Sequence, residues 1–217
     1  MASEQIENYI KNIYKLSEHE GKVTTSSLSE KLQISPASVS EMIKKLAEEG
    51  TLSHTPYKGV ELTAEGKMLA LRIIRKHRLW EMFLAEILHF SWDEIDHEAE
   101  RFEHIMSDKM EEKIDEVLGY PLVDPHGDPI PTRDGEIKQI RSFPLSEGLE
   151  GSSVRIIRVS DSNSELLQYI SSIGIALNKK IKIKQKMTFD QSVIITVNGK
   201  EQTISQKISQ SIFVEKV

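Results

Sequence analysis

The first sixty residues alternate between short amphipathic stretches and polar breaks. Apolar side chains recur every three or four positions over residues 4–18, which predicts a helix. Thr24-Thr25-Ser26 offers N-cap oxygens to a second helix at about 25–33, and Ser35-Pro36 starts a third helix. Two short alternating runs around Pro56-Tyr57-Lys58-Gly59 predict a β-hairpin. Three helices followed by a hairpin predict a winged helix-turn-helix.

The middle of the chain has the periodicity of helices. A long helix is predicted from Thr63 to about Leu88, and two more over roughly 93–105 and 107–118. The segment from Tyr120 to Pro144 holds five prolines and two glycines among few apolar residues. That composition predicts a linker or irregular loop.

The last third of the chain changes to short alternating runs. A helix is predicted at about 164–173, and the four predicted strands are Val154–Val159, Ile181–Met187, Val193–Val197 and Ser211–Val214. These elements predict a small β-rich domain.

Composition removes several classes of protein from consideration. Of 217 residues, 38% are hydrophobic and 29% are charged, as in ordinary globular proteins, and there is no cysteine. Disulfides and thiolate ligands are therefore excluded, and any metal must be held by oxygen and imidazole nitrogen, with a methionine thioether as the other candidate ligand. No apolar run is long enough for a membrane helix, and the N-terminus lacks the features of a signal peptide. A cytoplasmic location is expected.

Charge is distributed unevenly along the chain. The net charge is −6 overall, but residues 81–120 hold 13 acidic against 3 basic residues. Residues 1–80 are weakly positive, with 12 basic against 10 acidic residues. This asymmetry indicates separate tasks for the two segments, although a solvated acidic helix face would also account for it.

Two of the predicted helices carry metal-type ligands at helical spacing. His77 and Glu81 are four residues apart, and Glu100, Glu103 and His104 follow at spacings of three and one. Such spacing would turn two carboxylates and an imidazole to one side of a helix. A group of this kind is costly to bury without a cation, so it indicates a metal site.

The third helix has the side chains of a DNA recognition helix. Small polar groups near its start suit contact with base edges, and lysines one turn later suit contact with phosphate. With the hairpin tip, the predicted DNA-binding residues are Ser35, Pro36, Ala37, Ser38, Ser40, Glu41, Lys44, Lys45, Tyr57 and Lys58. Winged helices also serve as protein-interaction domains, so that alternative stays open.

Three motifs resemble the diphtheria toxin repressor family of metal-dependent regulators. They are Ser-Pro-Ala-Ser-Val-Ser-Glu-Met, Lys76-His-Arg-Leu-Trp-Glu81 and Glu98-Ala-Glu-Arg-Phe-Glu-His104. The resemblance covers essentially the whole chain and implies a mainly α fold. It implies a winged helix-turn-helix over 1–72, a helical dimerisation and metal-binding domain with a trailing loop over 73–144, and an SH3-like (FeoA-like) β-rich domain over 145–217.

The resemblance also implies the ligands of a main metal site. Carried over by position, these are Glu100, Glu103, His104, His77 and a residue of the first helix, Asn8. Manganese regulators have aspartate at the position of Asn8, and iron regulators have methionine. Lys11 stands where the short manganese regulators are acidic, so their two-metal cluster is not expected. Glu100 replaces a cysteine of the iron regulators and favours Mn²⁺, although Fe²⁺ accepts the same ligands.

A second metal site is implied for the longer members of the family. Its residues here would be Glu81, Asp124, His126 and an acidic residue of the C-terminal domain, for which Asp161 is the candidate and Glu165 the alternative. Asp96 and His97 are adjacent to a further family ligand position, and the sequence does not choose between them. Asp-Pro-His-Gly-Asp-Pro is also ordinary turn chemistry, so a plain loop is the alternative.

The expected function is a transcriptional repressor that binds DNA with Mn²⁺ or Fe²⁺ as co-repressor and controls metal uptake genes. The expected assembly is a homodimer on a pseudo-palindromic operator, with no organic substrate and no membrane partner. An enzyme is the rival class. The pattern that begins His97-Glu98 would need histidine at position 101 for a zinc protease, and arginine stands there. A carboxylate-bridged di-iron enzyme would need Glu-x-x-His motifs that the other helices do not supply.

Overall fold

The computed structural model describes residues 3–55, 59–160 and 163–217. These residues form two compact units. The first comprises Met1–His77, Glu103–Met106 and Pro131–Glu136, and the second comprises Arg78–Phe102, Ser107–Ile130 and Ile137–Val217.

The first unit begins with three capped helices. The hydroxyl of Ser3 accepts from the backbone N–H of Ile6, and Ser35 with Pro36 at the first turn starts the third helix. A capping box joins Thr24 and Ser27 at the start of the second. The helices are α1 (Glu4–Glu20), α2 (Thr25–Leu32) and α3 (Pro36–Glu48).

A two-stranded antiparallel hairpin follows these helices. Strand β1 (Leu52–Thr55) pairs with β2 (Gly59–Leu62), and Val60 of β2 also forms a bridge with Val23. Helix α1 packs on α2 and β2, and α3 packs on α2 and β1. The fully buried side chains at the centre of this unit include Ile10, Ile13, Leu28, Val39 and Leu46. The predicted winged helix-turn-helix is confirmed.

The long helix is α4 (Ala64–Glu86); its residues up to His77 belong to the first unit and those from Arg78 to the second. The second unit contains α5 (Ile95–Phe102), α6 (Asp108–Val117) and the C-terminal elements. Those elements are β3 (Phe143–Pro144), a short 3-10 helix (Leu145–Glu147), β4 (Ser153–Val159), α7 (Ser164–Ser172), β5 (Lys180–Lys186), β6 (Val193–Val197), β7 (Lys200–Ile204), α8 (Gln206–Gln210) and β8 (Ile212–Lys216).

The C-terminal strands form one antiparallel sheet in the order β3-β8-β4-β5-β6-β7. Alternate residues of these strands are buried, as a sheet with one face on a core requires. The core includes Ile156 on β4, Ile183 on β5, Ile195 on β6 and Val214 on β8. This confirms the predicted β-rich domain.

Several elements differ from those the sequence predicts. Helix α5 ends at Phe102, so the helix predicted over 93–105 is too long, and residues 103–105 form a turn. Ser107 then caps α6. Strands β3 and β7 and helix α8 lack a strong apolar pattern and are not among the predicted elements. No helix among the described residues is long and apolar enough to cross a membrane.

Candidate metal centres and DNA-binding surface

Glu103 is the most enclosed carboxylate of the first unit. The turn after α5 places it 1% exposed, with Oε1 2.5 Å from Nζ of Lys11 and Oε2 2.6 Å from Nδ1 of His77. Burial raises the pKa of Glu103. The hydrogen bond and charge of His77, together with the Lys11 ammonium, lower this pKa by more than burial raises it. The pKa therefore lies below its ordinary value. Glu103 is thus an ionised carboxylate inside the protein.

His104 lies beside this carboxylate and contacts the first helix. Its Nδ1 is 2.7 Å from Oε2 of Glu7, and its Nε2 is 3.0 Å from Oδ1 of Asn8. Nε2 is also 3.2 Å from Oε1 of Glu103. Two side chains of α1, the turn at 103–104 and His77 of α4 thus bring two carboxylates, an amide oxygen and two imidazoles into one cluster. We call Glu7, Asn8, His77, Glu103 and His104 the first cluster.

The first cluster differs in two ways from the expected arrangement. Glu103 and His104 were expected on the same helix face as Glu100, but α5 ends before them and only Glu100 is helical. Glu100 is half-buried and belongs to the second unit. Glu7 was not among the predicted ligands, although its position one residue before Asn8 could have drawn attention to it.

A second cluster lies entirely within the second unit. Glu81, Asp124 and His126 each offer a ligand atom, and these atoms lie within 4.8 Å of one another. All three residues are at most 2% exposed. Nδ1 of His126 is 3.6 Å from Oε1 of Glu81. We call these three residues the second cluster.

Backbone contacts fix the orientation of the His126 ring. Its Nε2 is 3.3 Å from the carbonyl oxygen of Trp92, which can only accept a hydrogen bond, so Nε2 carries the proton. In the neutral imidazole, Nδ1 then presents its lone pair toward Glu81. A hydrogen bond that fixes the tautomer in this way is the usual outer support of a metal-binding histidine.

The loop that carries Asp124 and His126 is held closely to its surroundings. Oδ1 of Asp124 accepts from the backbone N–H groups of His126 and Asp128, both at 2.9 Å, which forms a tight turn. The backbone N–H of Val159 donates to the carbonyl of His126 at 2.8 Å. Gly127 has φ +92°, and a Cβ there would lie 2.0 Å from the carbonyl oxygen of Ile157. The loop can pack this closely on β4 only with glycine at this position.

Arg78 of α4 brings a positive charge to the second cluster. Its Nε lies 3.3 Å from Oδ2 of Asp124, and Nη1 donates to the carbonyl of Pro129. Burial raises the pKa of Asp124 well above its ordinary value, and the charges of Glu81 and Asp128 add to this against the opposing effect of Arg78. The second cluster thus holds two buried carboxylates and one imidazole, with a single arginine beside them. A divalent cation would stabilise this group.

The start of α3 presents the predicted DNA-contacting side chains to solvent. The eight described members of that set, Ser35, Pro36, Ala37, Ser38, Ser40, Glu41, Lys44 and Lys45, are all exposed. Lys44 has 80% of its side chain exposed and only a 4.0 Å approach to Glu48. The buried face of the same helix, with Val39, Ile43 and Leu46, fixes it on the first unit.

Three predicted site residues lie outside the described part of the chain. Tyr57 and Lys58 come between β1 and β2 in the sequence, and Asp161 comes before α7. Glu165, the alternative to Asp161, is exposed in the first turn of α7. Asp96 is half-buried and His97 is exposed on α5.

Comparison with known families divides the chain into three matched regions. Residues 1–60 match the model described as iron dependent repressor, N-terminal DNA binding domain. Residues 63–132 match the iron dependent repressor, metal binding and dimerisation domain, and residues 143–216 match the FeoA domain.

Individual relatives match along nearly the whole chain. The diphtheria toxin repressor of Corynebacterium efficiens is 31% identical over 97% of this chain and 95% of its own. The iron-dependent repressor IdeR of Mycobacterium leprae is 28% identical over 97% and 96%. A solved manganese-dependent transcriptional repressor in complex with manganese is 35% identical, with a TM-score of 0.91 over 97% of this chain and 99% of its own.

Gly127→Ala is expected to destabilise the second unit by about 2 kcal/mol or more, because the added Cβ meets the backbone of Ile157 at a φ that disfavours side chains. Chemical unfolding of the purified protein measures the change. Gly199→Ala is the matched control, since Gly199 has φ +78° with open space around its Cβ. If both variants lose equal stability, backbone conformation alone is responsible and the close packing of the loop on β4 is unimportant.

Proposed function

Since the chain belongs to the iron-dependent repressor family, we propose that its first and second clusters bind the co-repressor ion. The protein is a metal-dependent DNA-binding transcriptional repressor and not an enzyme. Its co-repressor is Mn²⁺ or Fe²⁺, and it acts as a dimer on operator DNA. The observation that supports the proposal most directly is that each cluster brings buried carboxylate and imidazole groups together. The second cluster is buried throughout and its ligand atoms lie within 4.8 Å of one another, and in the first cluster the buried Glu103 and His77 are in contact.

The donor atoms fit a divalent ion of the manganese type. In the first cluster, Glu103 and His104 with Asn8 would hold it, and Glu7 and His77 lie next to them. Glu81, Asp124 and His126 would hold a second ion. All of these donors are oxygen or imidazole nitrogen, which favours Mn²⁺ and also admits Fe²⁺. Glu100, Asp161 and Glu165 remain predictions from sequence as further ligands.

Ligand binding at the first cluster would be coupled to DNA binding through α1. When bound, the ion supplies positive charge and a crosslink between its ligands. Asn8 and Glu7 belong to α1, whereas Glu103 and His104 belong to the turn at 103–104, so shared ligation fixes α1 against that turn. Helix α1 packs on α2 and β2, and α2 packs on α3. The recognition helix is therefore stabilised in one orientation, which is a coupling between two sites.

Dimer formation and location complete the proposal. In the second unit, exposed apolar side chains at the end of α4 and on α6, among them Leu88, Met110 and Val117, suit a protein interface. Two α3 helices in a symmetric dimer would enter successive major grooves of a pseudo-palindromic operator.

The regulated genes are expected to encode metal-uptake proteins. The cytoplasm is the expected location of the protein because the operator DNA is there. We also propose three domains, at 1–72, 73–144 and 145–217; the three matched family regions agree with their number and order, although the second matched region begins at residue 63.

Removing the metal is expected to abolish operator binding. In mobility-shift assays with a promoter from the same genome, the protein should form a complex with the DNA when Mn²⁺ or Fe²⁺ is present. EDTA should dissociate this complex. Glu103→Ala should require at least tenfold more metal for the same shift, because it removes a central ligand. Circular dichroism of the variant establishes that it folds. Operator binding that persists in EDTA would show that the protein binds DNA without metal, which contradicts the proposal.

The two clusters should contribute separately to metal stoichiometry. Equilibrium dialysis with Mn²⁺ should give two ions per wild-type chain and one for Glu81→Ala, since Glu81 is one of the three ligands of the second cluster. Glu86→Ala, an exposed glutamate on the same helix, is the control and should bind two. One ion in both the wild type and Glu81→Ala would mean that the second cluster holds its loop without metal.

Replacing Lys44 should weaken DNA binding at every sequence rather than change specificity. Lys44→Ala removes a charge that faces phosphate, so the slope of log affinity against log salt should fall by about 0.9 per lost contact. Lys109→Ala, an exposed charge on α6, is the control. An unchanged salt slope in Lys44→Ala would count against α3 as the helix that lies on DNA.

A further inference from the structure

Lys11 is the one cation that the described contacts place directly on a carboxylate of the first cluster. It is 2% exposed on the inward face of α1, and its Nζ lies 2.5 Å from Oε1 of Glu103. A buried lysine is rare unless it is paired, because removing the ammonium from water is costly. If Glu103 binds another partner, the Lys11 ammonium must therefore keep its contact with Glu103 or find another negative group.

The oxygens of Glu103 are already engaged in this arrangement. Oε1 contacts Lys11 and lies 3.2 Å from Nε2 of His104, while Oε2 contacts His77. The nitrogens of His104 in turn face Glu7 and Asn8. An ion that binds through Glu103 and His104 must share or replace these contacts. Because Lys11 is positive and already at bonding distance, it competes with that ion for Oε1 and also repels it.

Resting on the proposed function, we propose that Lys11 is a resident cation that holds Glu103 in place before the metal arrives and sets the metal concentration at which the first cluster fills. This role has two opposite consequences. Without metal, Lys11 stabilises the fold by neutralising a buried carboxylate. With metal, the same charge lowers the affinity of the cluster. The concentration at which the repressor responds is then partly a property of an amino acid that does not bind the ion.

The experiment compares Mn²⁺ binding and stability of the full chain in a Glu81→Ala background, so that only the first cluster is counted. Isothermal titration calorimetry with MnCl₂ should show that Lys11→Met binds roughly tenfold more tightly or better than the parent. Thermal unfolding without metal should show that the same variant melts at a lower temperature. Its increase in melting temperature on adding Mn²⁺ should be larger than that of the parent.

Lys31→Met is the matched control, because Lys31 is an exposed lysine on α2 and the substitution removes the same charge. It should leave Mn²⁺ affinity within about twofold of the parent. If Lys11→Met does not fold, Lys11→Gln, which keeps a hydrogen-bond donor without the charge, is used under the same criterion. Mn²⁺ affinity in the folded variant that is equal to or lower than that of the parent overturns the proposal, since a purely structural lysine gives that result.

A further variant separates this outcome from failure of the proposed function. In the same background, Glu103→Ala should lose measurable Mn²⁺ binding at the first cluster. If Glu103→Ala still binds as the parent does, the first cluster is not the metal site and both proposals fail. If Glu103→Ala loses binding while Lys11→Met does not gain it, the site stands and only the role of Lys11 is wrong.

Discussion

The first unit depends on one buried carboxylate. Glu103 has its two oxygens on Lys11 and His77, three residues that come from α1, α4 and the turn at 103–104. Removing one partner of a buried ion pair costs about 3–5 kcal/mol, because the other charge is left in a medium that solvates it poorly. The same contacts that hold these segments together are those an entering ion must rearrange. Stability and sensing are therefore properties of one set of atoms.

The second cluster shows a different way of preparing ligands. Its geometry comes from the backbone: the Asp124 turn, the close approach of Gly127 to Ile157 and the carbonyl of Trp92 that fixes His126. Such a site is rigid before the ion arrives and loses little conformational entropy on binding. In the first cluster the ligands are instead paired with one another and with Lys11. The two clusters are thus expected to differ in how strongly ion binding changes the protein.

The periodic elements and many of the site residues could be predicted from the sequence, but their partners could not. Helical spacing located α1 to α4 and α6, and alternation located four strands, because burial of one face leaves that pattern. The end of α5 at Phe102 left no comparable signal, so Glu103 and His104 were placed on a helix. Contacts such as Lys11 with Glu103 join residues 92 positions apart. Only the packing of α1 determines them.

Two residues of α1 limit the negative charge of the first cluster. Asn8 presents a neutral amide oxygen to His104, and Lys11, one turn later, brings a positive charge to Glu103. Both weaken the attraction of the cluster for a divalent ion. A repressor has to be empty at metal concentrations that the cell needs and filled above them, so tighter binding is no advantage. In physical terms, α1 therefore carries the residues that adjust the threshold, whereas Glu103 and His104 provide the chemistry.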